Sequence, residues 1–163
     1  MPNSVSLLIR ISEQQLYLLD ELEEVVQKYS ISTSKYGAGN KEGSFQTPTG
    51  RHYIKEKIGD QAAMNEVFAG RKPLGVLEDL QAQQADLPED IITSRIMWLQ
   101  GMESGVNEGG DVDSYQRYIY IHGTSEEDKI GTAASHGCIR MCNDDVIDLF
   151  DQIETGCEVL IEE

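Results

Sequence analysis

Three residues in a short span carry nucleophilic potential: Cys138, His136 two positions before it, and His122 sixteen positions before it. A free thiol with a pKa of ~8.5 is only a few per cent ionised at neutral pH, so a cysteine nucleophile needs a base or cation beside it. His122 closes the strand-like run Tyr118-Ile119-Tyr120-Ile121 and could be that base. Gly137 adjoins the cysteine, and without a Cβ it lets backbone amides approach a developing oxyanion. Taken singly, a lone cysteine is more often a small buried hydrophobe, and a strand-end histidine more often a surface or core residue.

The pattern Ile121-His122-Gly123-Thr124, then Ser135-His136-Gly137-Cys138-Ile139-Arg140-Met141, resembles the signature of the L,D-transpeptidase (YkuD) catalytic domain family. Upstream Thr47-Pro48-Thr49-Gly50, followed by Tyr53, matches a second family feature, and the resemblance runs from about Leu7 to Ile161. It implies a mixed α/β, β-rich fold: a YkuD-like β-sandwich with one main helix after the nucleophile and a lid insertion. The implied chemistry is acyl transfer on peptidoglycan stem peptides, with Cys138 as nucleophile and His122 as its base and ion-pair partner. His136 is expected to shape the pocket, Ser135 to fix the turn, and Gly137 with the Cys138 amide to donate to the oxyanion. Glycine at 123 leaves a backbone oxygen as the only local group to orient the imidazole. Arg140 either binds a substrate carboxylate or makes a structural salt bridge, and Tyr120 and Trp98 are candidate pocket walls. The resemblance implies no cofactor, and a small peptide or muropeptide as partner.

Two rival readings belong to other classes. His136, Cys138 and Cys142, with Cys157 or His122, supply enough ligands for zinc, although the spacing matches no common zinc pattern. The same fold could also serve as an inactive peptidoglycan-binding module.

A chain of 163 residues is most economically one domain, 1–163, able to bury a core without staples. Thirteen basic against 29 acidic residues leave a net charge of −16, which argues against nucleic-acid and anionic-membrane partners. The first residues lack a basic n-region, and Arg10 interrupts Leu7-Leu8-Ile9, so this run reads as a strand and not a leader or membrane segment. Three sparse cysteines suit a reducing compartment. These features together predict a cytoplasmic protein in which water is the favoured acyl acceptor. It would then be an L,D-carboxypeptidase trimming D-alanine from tetrapeptides, with L,D-transpeptidation as the alternative. Carboxylate-bearing substrates fit poorly with so acidic a chain, so a local basic cluster, Arg140 with Arg117 or Arg95, is expected to face the cleft.

The elements that must position these groups are unequally legible. Ser4–Ile11 reads as a first strand, while Leu16, Leu19, Leu22, Val25, Val26 and Tyr29 fall at helical spacing. The family resemblance implies two strands there instead, with a turn near Glu21–Glu23. Pro48 and Gly50 make Thr47–Gly50 a rigid corner leading into a strand at His52-Tyr53-Ile54. Residues 59–93 read as an inserted loop or short-helix lid. Ile96–Leu99 predicts a central strand, Gly101–Asp113 a loop, and Tyr115–Ile121 a strand with Tyr118 and Tyr120 on one face. Asn143 reads as an N-cap for a helix buried through Val146, Ile147, Leu149, Phe150 and Ile153. Val159–Ile161 closes the chain as a strand.

Overall fold

A computed structural model describes residues 4–163. Ten strands and two α-helices follow one another as β1 (Ser6–Arg10), β2 (Gln15–Leu19), β3 (Val25–Ser32), β4 (Gly50–Ile58), β5 (Glu66–Ala69), β6 (Lys72–Val76), α1 (Leu77–Ala82), β7 (Ile92–Gly101), β8 (Tyr120–Thr124), β9 (Ile139–Met141), α2 (Asn143–Gln152) and β10 (Glu158–Glu162). The strands form one mixed sheet in the order β4-β10-β1-β2-β3-β9-β8-β7-β5-β6, and a further pairing of β4 with β7 curls the sheet back on itself. Among the described residues no helix is long and apolar enough to cross a membrane.

Side-chain alternation gives the sheet two different faces. Leu7, Ile9, Leu16, Leu18, Ile31, Met97, Leu99, Ile121, Ile139 and Met141 point into the curl, where Val146, Leu149 and Phe150 of α2 complete the main core. The other face of β7 and β8 carries a second apolar cluster of Phe68, Ile96, Trp98 and Tyr120, with Tyr115 and Cys138 packed against it.

The helical spacing around Leu16–Tyr29 is superseded. Leu16 and Leu18 alternate inward on β2, while Leu22, Val25 and Val26 are exposed near the following turn. The turn that joins β1 to β2 ends at Gln14 in a left-handed conformation, its side-chain amide hydrogen-bonded to Thr33 at 2.7 Å. Tyr115–Tyr118 is not strand either. It is a series of turns ending at Tyr118 with φ +60°, so Tyr118 is exposed and only Tyr120 onward joins the sheet. Residues 59–93 hold two strands and a short helix, with β5 hydrogen-bonded to the start of β7. Asn143 begins α2 but makes no side-chain cap; it reaches backward to other partners described below.

Candidate active site

β8 and β9 run parallel, with Ile121, His122 and Gly123 level with Ile139, Arg140 and Met141. Extending that register back by one pleat puts Tyr120 beside Cys138, and the Tyr120 amide donates to Cys138 Sγ at 3.4 Å. Tyr120, His122, Cys138 and Arg140 therefore share the face opposite the main core. His122 and Cys138 are diagonal neighbours on it, since His122 is level with Arg140, two residues beyond Cys138.

The His122 ring is fully buried, and its Nδ1 lies 2.5 Å from the Gly123 carbonyl. A carbonyl can only accept, so Nδ1 carries the proton and Nε2 is left as a bare acceptor. That Nε2 is buried and has no hydrogen-bond partner among the described residues. Burial lowers the His122 pKa below its ordinary value, outweighing the opposing pull of Asp90. A neutral imidazole with a free lone pair is the form a general base requires.

Cys138 is half-buried. Its thiol donates to the Tyr118 carbonyl at 3.3 Å, and desolvation pushes it up to about 12 despite the Tyr120 amide. The resting pair is thus neutral thiol and neutral imidazole.

The loop before Cys138 is held from both sides. Ser135 is fully buried; its hydroxyl donates to the Cys138 carbonyl at 2.7 Å and accepts from the Gly137 amide at 3.2 Å. Gly137 has φ +129°, a conformation L side chains rarely adopt, which explains the glycine. Its amide is already committed to Ser135, so of the two expected oxyanion donors the Cys138 amide is the one left to consider. The Thr47 hydroxyl donates to the Gly137 carbonyl at 2.9 Å and accepts from the Ser34 amide at 3.0 Å, so the Thr47–Gly50 corner serves as a clamp on this loop. His136 has a largely exposed side chain, 3.8 Å from Asp90 and with its ring 6.4 Å from that of Tyr36.

Arg140 is 2% exposed and already paired, with Asp90 at 2.8 Å and Glu126 at 3.4 Å. Of the two readings open for it, the structural ion pair is what the geometry contains. Arg95 is likewise engaged, with the Ala62 and Ser94 carbonyls. Neither supplies the free cation expected at the cleft. Trp98 stacks on Tyr115 with ring centroids 4.1 Å apart and meets Tyr120 edge-on at 5.4 Å, forming the wall beside Cys138.

Two contributing residues escape a reading of the sequence. Asn143 Oδ1 accepts from Thr93 and Ser94 hydroxyls, each at 2.6 Å, and its amide donates to the Thr124 carbonyl at 3.0 Å. It packs so closely under β8 that a Cβ on Gly123 would lie 2.6 Å from Asn143 Oδ1 and 2.5 Å from the Thr93 carbonyl. Asn143 thereby fixes the backbone that orients His122. Asp90, from the loop before β7, holds Arg140 beneath the site. The residue types alone offered no signal for either. The zinc alternative is not assembled: among the described residues no three His, Cys, Asp or Glu side chains converge as ligands, and Cys157 sits in the main core on the opposite face.

The sequence model of the YkuD L,D-transpeptidase catalytic domain matches residues 4–161. Among curated proteins, YqjB of Bacillus subtilis, assigned as an L,D-transpeptidase, is 48% identical over 54 residues, 32% of this chain and 31% of its own. YkuD of the same organism, assigned likewise, is 42% identical over 60 residues, 34% of this chain and 37% of its own. The chain thus matches about a third of the length of these relatives. Solved structures with a similar fold include an L,D-transpeptidase from Xylanimonas cellulosilytica, at a TM-score of 0.61 and 17% identity over 99% of this chain and 62% of that one. Another is L,D-transpeptidase 3 from Mycobacterium tuberculosis carrying a faropenem-derived adduct, at 0.59 and 12% over 99% and 61%. With the match spanning nearly all described residues, the chain belongs to the L,D-transpeptidase (YkuD) catalytic domain family.

Proposed function

We propose that this protein is a cysteine acyl-transfer enzyme acting on peptidoglycan stem peptides, cleaving the bond between the L-centre of diaminopimelate and a terminal D-alanine. The observation that carries this is His122, whose Nδ1 is spent on the Gly123 carbonyl and whose buried Nε2 is unpartnered on the face that bears Cys138. A turn about the Cys138 side chain takes the thiol from the Tyr118 carbonyl to Nε2. His122 accepts the proton as sulfur attacks the carbonyl carbon. The C–N bond then breaks, and the proton passes to the departing amine of D-alanine. A thioester on Cys138 remains.

Water is the favoured acceptor. Cys138 is only partly buried and the neighbouring His136 side chain is 43% exposed, so solvent at ~55 M can reach the thioester from that side. His122 takes a proton from water and returns it to sulfur, releasing the tripeptide acid. The setting is the cytosol, with soluble tetrapeptide fragments as donors; the three cysteines, all free, suit a reducing compartment. The second reading is transfer to an amine, giving a cross-link or D-amino-acid exchange, and the open face around Cys138 admits that too. Incubation with a tetrapeptide muropeptide, followed by mass, separates the two. Tripeptide plus D-alanine is expected; cross-linked dimer as the main product would replace hydrolysis with transpeptidation, and unchanged substrate would remove both.

A further inference from the structure

The β5–β6 hairpin turns through Gly70 and Arg71, both with positive φ (+55° and +66°), between the paired residues Ala69 and Lys72. This is the two-residue turn whose twist suits a hairpin, and glycine or asparagine is its usual occupant. Arg71 holds its strained place with the side chain laid back over the candidate site. Its guanidinium lies 4.7 Å from the Trp98 ring centroid and 5.4 Å from that of Tyr118, and it donates to the Tyr120 hydroxyl at 3.2 Å. Tyr118 and Tyr120 are the residues whose backbone groups hold Cys138 Sγ.

Among the described residues, four of the 13 Lys and Arg side chains are paired with a carboxylate. With 29 acidic residues available, Arg10, Arg51, Lys129 and the buried Arg140 all have carboxylate partners. Among the described residues Arg71 has none, nor has Arg117. Arg117 adjoins Tyr118 in the chain and is held only by neutral acceptors: the Gln46 carbonyl at 2.7 Å, and the Gly39 carbonyl and Ser44 hydroxyl at 3.4 Å. Its charge is close enough to Cys138 to favour the thiolate. Arg117 thus acts on the thiol itself, while Arg71 lies over the aromatic side chains of Trp98, Tyr118 and Tyr120 beside it, in a protein of net charge −16.

Stacking occupies the face of the Arg71 guanidinium and leaves most of its in-plane N–H edge free, which is the geometry for bidentate binding of a carboxylate. We propose that Arg71 is the specificity-determining residue that binds the terminal carboxylate of the acyl donor, with Arg117 supplying the second positive charge beside Cys138. This rests on the acyl-transfer reading above and names how its substrate is selected. In that reading the leaving residue ends in a free carboxylate, which lies close to the scissile carbonyl.

Binding can be measured apart from turnover. Calorimetric titration of the Cys138→Ala protein with a tetrapeptide ending in diaminopimelate–D-alanine, and with the same peptide as its C-terminal amide, gives the preference for the carboxylate. A charge-assisted pair sets the expected ratio at roughly 10- to 100-fold in favour of the acid. Adding Arg71→Gln should erase that ratio by weakening the acid alone, and Arg71→Lys should restore part of it. Equal binding of acid and amide, or a loss in Arg71→Gln that is the same for both, overturns the carboxylate role and leaves Arg71 as packing. Turnover of wild-type protein on the acid tests the acyl-transfer reading separately, so either can fail alone.

Discussion

The hydroxyl of Thr47 donates to the carbonyl of Gly137, 2.9 Å away and 90 positions along the chain, and both are buried. This bond ties the Thr47–Gly50 corner to the loop that presents Cys138. Thr47→Val keeps the shape and removes the donor, leaving a buried carbonyl and the Ser34 amide without a partner. The expected cost is ~1–3 kcal/mol, read as a lower urea midpoint, together with slower alkylation of Cys138 by iodoacetamide. Unchanged stability would show that the clamp contributes nothing.

Cys138→Ala removes one sulfur from a half-buried site and should abolish turnover while leaving the circular dichroism spectrum unchanged. Incubation of the wild type with a carbapenem should give one covalent adduct by mass, mapped to Cys138 and absent from the variant. An adduct on Cys142 or Cys157 means that the wrong thiol has been chosen.

The resting thiol and imidazole are both neutral, because burial raises the Cys138 pKa and lowers that of His122. The thiolate fraction then rises tenfold per pH unit below the thiol pKa. Iodoacetamide alkylation of Cys138 should therefore accelerate about tenfold per unit between pH 7 and 9 without levelling. A plateau already present at pH 7 would mean a preformed thiolate–imidazolium pair. His122→Ala should lower turnover by orders of magnitude by removing the acceptor for the thiol proton.

His52 offers a stability test. It is fully buried, 2.8 Å from the Ser114 hydroxyl, and burial takes its pKa from 6.5 to about 4. Between those values the unfolded chain binds the proton and the folded one does not. Stability is therefore fully present above pH 6.5 and declines as pH falls toward 4, by about 2 kcal/mol at pH 5. Buried His122 adds to the loss in the same direction. Urea unfolding at pH 7 and pH 5 should show this difference shrinking in His52→Gln; an identical drop in both proteins would assign the acid sensitivity elsewhere.

Asn143→Ala deprives the Thr93 and Ser94 hydroxyls of their shared acceptor and loosens the backbone beneath Gly123. A stability loss of ~1–3 kcal/mol is expected. The mark of a positioning role is a fall in kcat with little change in KM, because the imidazole is misaimed while the binding surface is untouched. A change confined to KM would place Asn143 elsewhere in the chemistry.

Local patterns determined much of this protein. Loose alternation along Ser4–Ile11 and the apolar run Ile96–Leu99 marked strands, the apolar stripe from Val146 to Phe150 marked the helix, and the residue types around Cys138 and His122 marked where chemistry could lie. Short-range spacing failed where two strands follow a tight turn, as at Leu16–Tyr29, because hairpin partners can fall by chance at helical intervals. It failed again at Tyr115–Tyr118, where the left-handed Tyr118 is held by contacts with Trp98 and Arg71 and not by its own propensity. Which charges are free was decided only by tertiary structure. Arg140 and Arg71 are equivalent as letters, but the curl of the sheet buries one against Asp90 and Glu126 and lays the other, from a hairpin tip, across an aromatic face without a counter-ion. Charge pairing depends on distances between residues far apart in the chain, and those distances exist only once the sheet has closed.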